Sequence, residues 1–161
     1  MSPVSKVNRW CFIISVVTII KGIKAIHPEF IALIKTGTFY CAYGKDACII
    51  SNLFNYQFKE LNDTISCVFP ANSIKKIQAK LENSKINYLI INRRTGYTVE
   101  EKNDFKNLNT YNKQYNSSKI YINNQKRINN INEYLLKNVK NKDLGILLKE
   151  IENIINERKK I

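Results

Sequence analysis

The chain has 161 residues, 44% of them hydrophobic, and its 26 Lys and Arg outnumber 13 Asp and Glu to leave a net charge of +13. That length suits one domain of ordinary size with room for an appendage, and the apolar share is enough to build a real core, which excludes a globally disordered chain. The basic surplus favours a polyanionic partner, nucleic acid ahead of an acidic membrane.

Residues 1–23 read as an N-terminal apolar segment packed on the core. Trp10 to Ile20 is apolar except for Ser15 and Thr18, and Lys6 and Arg9 precede it. The run imitates a secretory signal, but no small-x-small cleavage site follows. It also falls short of the roughly 20 apolar residues that span a bilayer, so no stable membrane insertion is expected. Cys11, Cys41, Cys48 and Cys67 form no Cys-x-x-Cys pair and no zinc spacing, and His27 stands apart from them. Reduced, mostly buried thiols in a cytoplasmic protein are expected, with no cofactor and no metal.

Phe30 to Ile34 is short, apolar and β-compatible, and it ends at Gly37. Thr38 to Tyr43 reads as a second strand before Gly44, so the two form a hairpin with Phe39 close to its turn. Asp46 caps the following helix or sits in its first turn, where a carboxylate opposes the macrodipole. Ala47, Ile50, Leu53 and Phe54 give that helix one apolar face. Gln57–Leu61 and Ile65–Phe69 are two further strands around an Asn62-Asp63 turn, closed by Pro70. Ser73 is the candidate cap of a helix that buries Ile74, Ile77 and Leu81. Asn87 to Asn92 is a nearly continuous apolar run, the pattern of a strand buried on both faces.

This order of elements resembles the N-terminal, mismatch-recognition domain of the MutS family of DNA mismatch-repair proteins. The family block G-D-F-Y-E-x-F followed by D-A is matched by Gly37, Phe39, Tyr40, Asp46 and Ala47, with Tyr43 in place of the second Phe. The later block, G-I-P-Y-H-A with a Leu-Ala-Lys-Leu helix and an apolar strand, is matched by Pro70, Ala79, Lys80, Leu81 and Tyr88 to Ile91. Together they cover about residues 24 to 98. The resemblance implies that Phe39 is an intercalating wedge, pushed into the minor groove to kink the duplex. Such a wedge selects steps that unstack cheaply, through DNA deformability and not through a base code. Tyr40, Cys41, Lys35, Arg93 and Arg94 complete the DNA-binding residues implied. The departures bear on specificity. Cys41 stands where the family has a Glu that engages the mispaired base, Thr38 replaces Asp, Val68 replaces Gly, and Asn92-Arg93 replaces Glu-Gln.

From Phe105 to Asn132 there is no acidic residue, and lysines alternate with tyrosines in an Asn-rich background. Lys113, Tyr115, Lys119, Lys126 and Arg127 are candidate nucleic-acid contacts, pairing phosphate attraction with base stacking. A polar linker with one added edge strand over Lys119–Ile122 is the competing reading. Two amphipathic patterns follow, Ile128, Ile131, Leu135 and Val139, then Leu144, Leu147, Leu148, Ile151 and Ile155, separated at Asn141-Lys142-Asp143. They read as an αα-hairpin whose apolar face docks on its own domain or on a partner.

The expected fold is α/β (α+β), a small mixed sheet flanked by helices, with a C-terminal helical hairpin. The expected divisions are an apolar segment over 1–23, a MutS domain I-like unit over 24–104, a basic Asn/Tyr-rich connector over 105–127 and the hairpin over 128–161. No phosphate-cradling Gly-x-x-x-x-Gly-Lys-Ser/Thr loop is present, and Glu29, Asp46, Glu60 and Asp63 form no recognisable metal constellation. The expectation is therefore a non-catalytic DNA-binding accessory protein. Its nucleic-acid partner is duplex or bent DNA, or an RNA–DNA hybrid, and by family analogy it works beside a reverse transcriptase in a repair or retroelement system. The alternative is an adaptor that docks such a protein partner through its C-terminal helices.

Overall fold

The computed structural model describes residues 16–61 and 63–160. Trp10 to Ser15 of the apolar run, and Asn62 of the expected turn, lie outside them. Six strands, β1 (Ile31–Thr36), β2 (Phe39–Tyr43), β3 (Phe58–Leu61), β4 (Thr64–Pro70), β5 (Tyr88–Asn92) and β6 (Thr98–Asn103), form one mixed sheet in the order β3-β4-β2-β1-β5-β6. Neighbours are antiparallel except β1 and β5, which are parallel. The described helices are α1 (16–26), α2 (Gly44–Phe54), α3 (Ile74–Asn83), α4 (Leu108–Asn138) and α5 (Asn141–Arg158). Two compact units divide the chain, one up to Tyr121 and one from Ile122.

The neighbouring interior strands β1 and β5 carry the most continuous apolar sequence, as burial on both faces requires. On one face, Ile31, Leu33, Tyr40, Ala42, Cys67, Phe69, Tyr88 and Ile90 meet Ala47, Ile49 and Ile50 of α2, Ile77 and Leu81 of α3, and Tyr111 of α4. On the other, Ala32, Ile34, Leu89 and Ile91 form a smaller cluster with Phe30, and Ile20 and Ile23 of α1 pack against it. Alternation along the strands sorts these sets, because successive side chains leave a strand on opposite sides.

One buried carboxylate fastens the layers. Asp46, in the first turn of α2 and 1% exposed, accepts hydrogen bonds from the Ala32 amide at 3.0 Å, the Lys24 ammonium at 2.8 Å and the Tyr111 hydroxyl at 2.6 Å. It thereby joins α1, β1, α2 and α4. A charge this deep is tolerated because both oxygens are paired. Lys24 also donates to the Phe30 carbonyl at 2.5 Å and lies over the Tyr111 ring.

Several elements differ from expectation. Leu108 to Asn138 is one continuous helix, so neither a linker nor an added edge strand forms at Lys119–Ile122. The sixth strand is instead Thr98–Asn103 (TVEEKN), whose charged residues suit an edge. Ser73 makes no capping bond, because a 3₁₀ turn over Ala71–Ser73 runs straight into α3. Asp143 sits in the first turn of α5, three positions past the cap residue, which is Lys140. Within the second unit taken by itself, Ile128, Ile131, Leu147, Leu148, Ile151 and Ile155 are exposed, and Leu135, Val139 and Leu144 are partly buried.

Candidate nucleic-acid interface

Thr36 and Phe39 face each other across the tip of the β1–β2 hairpin. Two residues, Gly37 and Thr38, make the turn, and Gly37 holds φ at +63°, a backbone conformation that side-chain-bearing residues rarely adopt. The Ala71 amide donates to the Thr38 carbonyl at 2.9 Å, and the Arg93 amide donates to the Lys35 carbonyl at 3.2 Å. The tip is therefore tied to the end of β4 on one side and to the β5–β6 loop on the other.

Beyond the cover of α1, the second face of the sheet carries exposed side chains among the described residues. Phe39 is 48% exposed, and Val68, which pairs with Cys41 across β2 and β4, is 51% exposed. Cys41 lies between them, half-buried. Burial pushes its thiol pKa up, against the opposing pull of hydrogen bonds from Tyr43 and Thr36 and the nearby positive charge of Arg93. A neutral thiol at pH 7 follows. Tyr43, next along the same face, has its phenol pKa raised by burial and by Cys41 and Tyr97 beside it, with Arg93 again opposing.

Arg93 and Arg94 stand on a loop whose shape is fixed by its own bonds. Asn92 Oδ1 accepts the Arg94 amide at 2.9 Å, the Asn92 carbonyl accepts the Thr95 hydroxyl at 3.2 Å, and the Arg93 carbonyl accepts the Gly96 amide at 3.2 Å. Positive φ at Gly96 and Tyr97 closes the loop. With Thr36 and Gly37, the two arginines line a cavity of about 350 Å3 beside the hairpin tip. The parallel pairing of β1 with β5, which sets Lys35 opposite Asn92, delivers the loop to this place.

The implied site residues thus part company. Phe39, Cys41, Arg93 and Arg94 gather at one end of the open face. Tyr40 does not: it is 6% exposed and stacks on Phe69 at 5.8 Å in the main core. Lys35 pairs with Tyr40 in the β1–β2 register, so alternation gives it to Tyr40's side and not to Phe39's. Tyr115 packs against the main core, on the helix-covered face of the sheet, with the Lys45 and Lys119 ammonium groups over its ring. Tyr111 and Ser118 are buried along the same side of α4. Their spacing, 111, 115 and 118, is a helical stripe that turns Tyr111 and Tyr115 toward the core, Tyr115 being only partly buried. Lys113 and Lys119 are carried on the same part of α4, whereas Lys126 and Arg127 belong to the second unit. The exposed Val68, and Thr36 in the cavity wall, were not singled out for DNA binding. Alternation from Phe39 through Cys41 was the signal that leads to Val68.

Among the described residues, no group of three or more His, Cys, Asp and Glu is placed to hold a metal ion, and no helix is long and apolar enough to cross a membrane. No curated protein matches the chain. Residues 16–105, more than half of the chain, match the family model for MutS domain I. The chain belongs to the MutS domain I family.

Proposed function

We propose that this MutS domain I protein binds DNA without catalysing a reaction on it, seating Phe39 in the minor groove of a duplex that bends easily. The observation that carries this reading is Phe39 itself. It is a large apolar ring, half-exposed at the tip of a hairpin braced on both sides, on a face that also presents Arg93 and Arg94. A core residue gains nothing from that position. An unstacking wedge needs an apolar ring, a rigid mount and cations to hold the flanking phosphates. Cys41 in place of a carboxylate argues for a protein that senses deformability more than base identity. We place it as an accessory factor in DNA repair or retroelement reverse transcription, working in the cytoplasm beside a reverse transcriptase.

A salt-titrated binding series over homoduplex, mismatched duplex, single-stranded DNA and RNA–DNA hybrid tests the reading. Affinity should fall steeply with salt as counterions are released. Phe39→Ala should weaken binding to mismatched duplex by about tenfold and to straight homoduplex by much less, since only the wedge differs between them. Binding that ignores salt, or equal losses on both duplexes, would return Phe39 to a packing role.

A second reading rests on a different observation, the exposed apolar residues of the second unit. Ile128 and Ile131 of α4 and Leu147, Leu148 and Ile151 of α5 are exposed, more large apolar side chains than a solitary domain surface ordinarily shows. Docking of a protein partner on these helices is the adaptor function. Capture of a reverse transcriptase that fails in L147D/I151D but persists in F39A supports it. The reverse dependence removes it.

A further inference from the structure

The cavity beside Phe39 has a chemistry that an ordinary backbone contact does not require. Two guanidiniums on consecutive residues, a threonine and the backbone of Gly37 line about 350 Å3, and no carboxylate is among the lining residues. Every charged group there is a donor, so the ligand is an anion. The loop that carries the arginines is held by three hydrogen bonds of its own, so little ordering remains to be done on binding.

The kind of anion follows from charge and room. A phosphodiester within a continuous strand carries one negative charge and is fixed on both sides by the chain. A terminal phosphate monoester carries about 1.5 to 2 charges near neutral pH and has three acceptor oxygens. Guanidiniums on two consecutive residues match the second better than the first, because arginine recognises a group with several acceptor oxygens in bidentate fashion. The cavity also exceeds a single phosphate group, and a strand end, tied to the chain on one side only, can turn into it at less cost than an internal nucleotide. We propose that the Arg93–Arg94 cavity binds a terminal phosphate of a nucleic-acid strand, seating Phe39 at a nick or an end. A nicked step has lost one backbone connection, so it bends at low cost and suits a wedge. This inference rests on the DNA-binding reading above and names its substrate.

The test compares one duplex sequence in four forms: intact, nicked with a 5′-phosphate, nicked with a 3′-phosphate, and nicked with hydroxyls on both sides. Fluorescence anisotropy reads each affinity at fixed salt. One phosphorylated nick should bind about tenfold tighter than the hydroxyl nick, the difference expected of a charge-assisted bidentate pair. Whichever phosphate gives the gain identifies the strand end. R93Q/R94Q should abolish the gain. Arg94 is exposed, so R94Q keeps the fold and should reduce the gain by itself. Phe39→Ala should weaken both nicks while leaving their ratio unchanged. Equal affinity for phosphorylated and hydroxyl nicks, with salt-sensitive duplex binding intact, overturns this inference alone. A gain that survives R93Q/R94Q overturns it as well. Absence of binding to all four duplexes overturns the DNA reading and this inference with it.

Discussion

Along β2, Tyr40 and Ala42 enter a core closed by α2, α3 and α4, while Phe39 and Cys41, one residue away, lie on a face that α1 covers only in part. The identities on the first face are explained by packing, because each side chain there removes apolar surface from water. The identities on the second are not. Phe39 and Val68 leave about half their surface exposed. Stability is served on one side of the strand, and the other side carries the DNA contact proposed above.

The sharpest way to break that comparison is to truncate the two neighbours. Tyr40→Ala should cost about 3–5 kcal/mol of folding stability, the range for deleting a buried aromatic. Phe39→Ala should cost no more than about 0.5 kcal/mol, as for ordinary surface changes. Urea unfolding of both variants reads the difference, and similar losses would erase the distinction between the faces. Asp46→Ala should cost about 3 kcal/mol, because it strips the Lys24 ammonium, the Tyr111 hydroxyl and the Ala32 amide of their shared acceptor. It acts at the closed end of the sheet, so the DNA preference of whatever fraction stays folded should be unchanged.

The closed face also has a pH signature. The Tyr111 phenol pKa is raised by burial first and then by the charge of Asp46 and the hydrogen bond to it. Its folded pKa therefore lies above the unfolded value of about 10. The stability it contributes is complete below that value and is lost as pH rises above it. Tyr43 and Tyr88 are shifted in the same direction, Tyr88 by burial and then by its bonds to Glu82 and Glu101. Stability should therefore fall on the alkaline side from about pH 10, and Tyr111→Phe should flatten part of that fall. A Tyr111→Phe protein whose alkaline limb matches the parent's would place the loss elsewhere.

How much of this was legible in sequence follows the same divide. The hairpin was readable from its apolar strands and Gly37, and β5 from the run Tyr88 to Ile91, because buried strands declare themselves by composition. The edge strand β6 was hidden, since TVEEKN has little apolar content and takes its order from pairing with β5. The part of α4 before Ile128 was hidden by its asparagines, which have poor helix propensity, and tertiary packing of Tyr111 and Tyr115 overrides it. At the site, Phe39 was readable from its motif. The opposite placement of Tyr40 was available from strand alternation alone. The approach of Arg93 to the hairpin was not, because it arises from a parallel β1–β5 pairing between segments more than fifty residues apart.

The smallest expected effect concerns Cys41, and it bears most directly on what the open face reads. The position is half-buried, between the exposed Phe39 and Val68, so a longer side chain has solvent to extend into. Arg93 lies close enough to act on the Cys41 thiol electrostatically, so a carboxylate placed there meets a favourable charge and stays ionised. Cys41→Glu supplies an acceptor next to the wedge, able to receive a hydrogen bond from an unpaired base. One such bond is worth about 0.5–1.5 kcal/mol net, so the ratio of mismatched to homoduplex affinity should rise by roughly threefold to tenfold. Homoduplex affinity itself should fall slightly, because the new charge offsets part of Arg93's attraction for phosphate. A ratio that stays at the parent's value would mean that the face gains no base reading from a carboxylate. Deformability sensed through Phe39 would then be the whole of its selectivity.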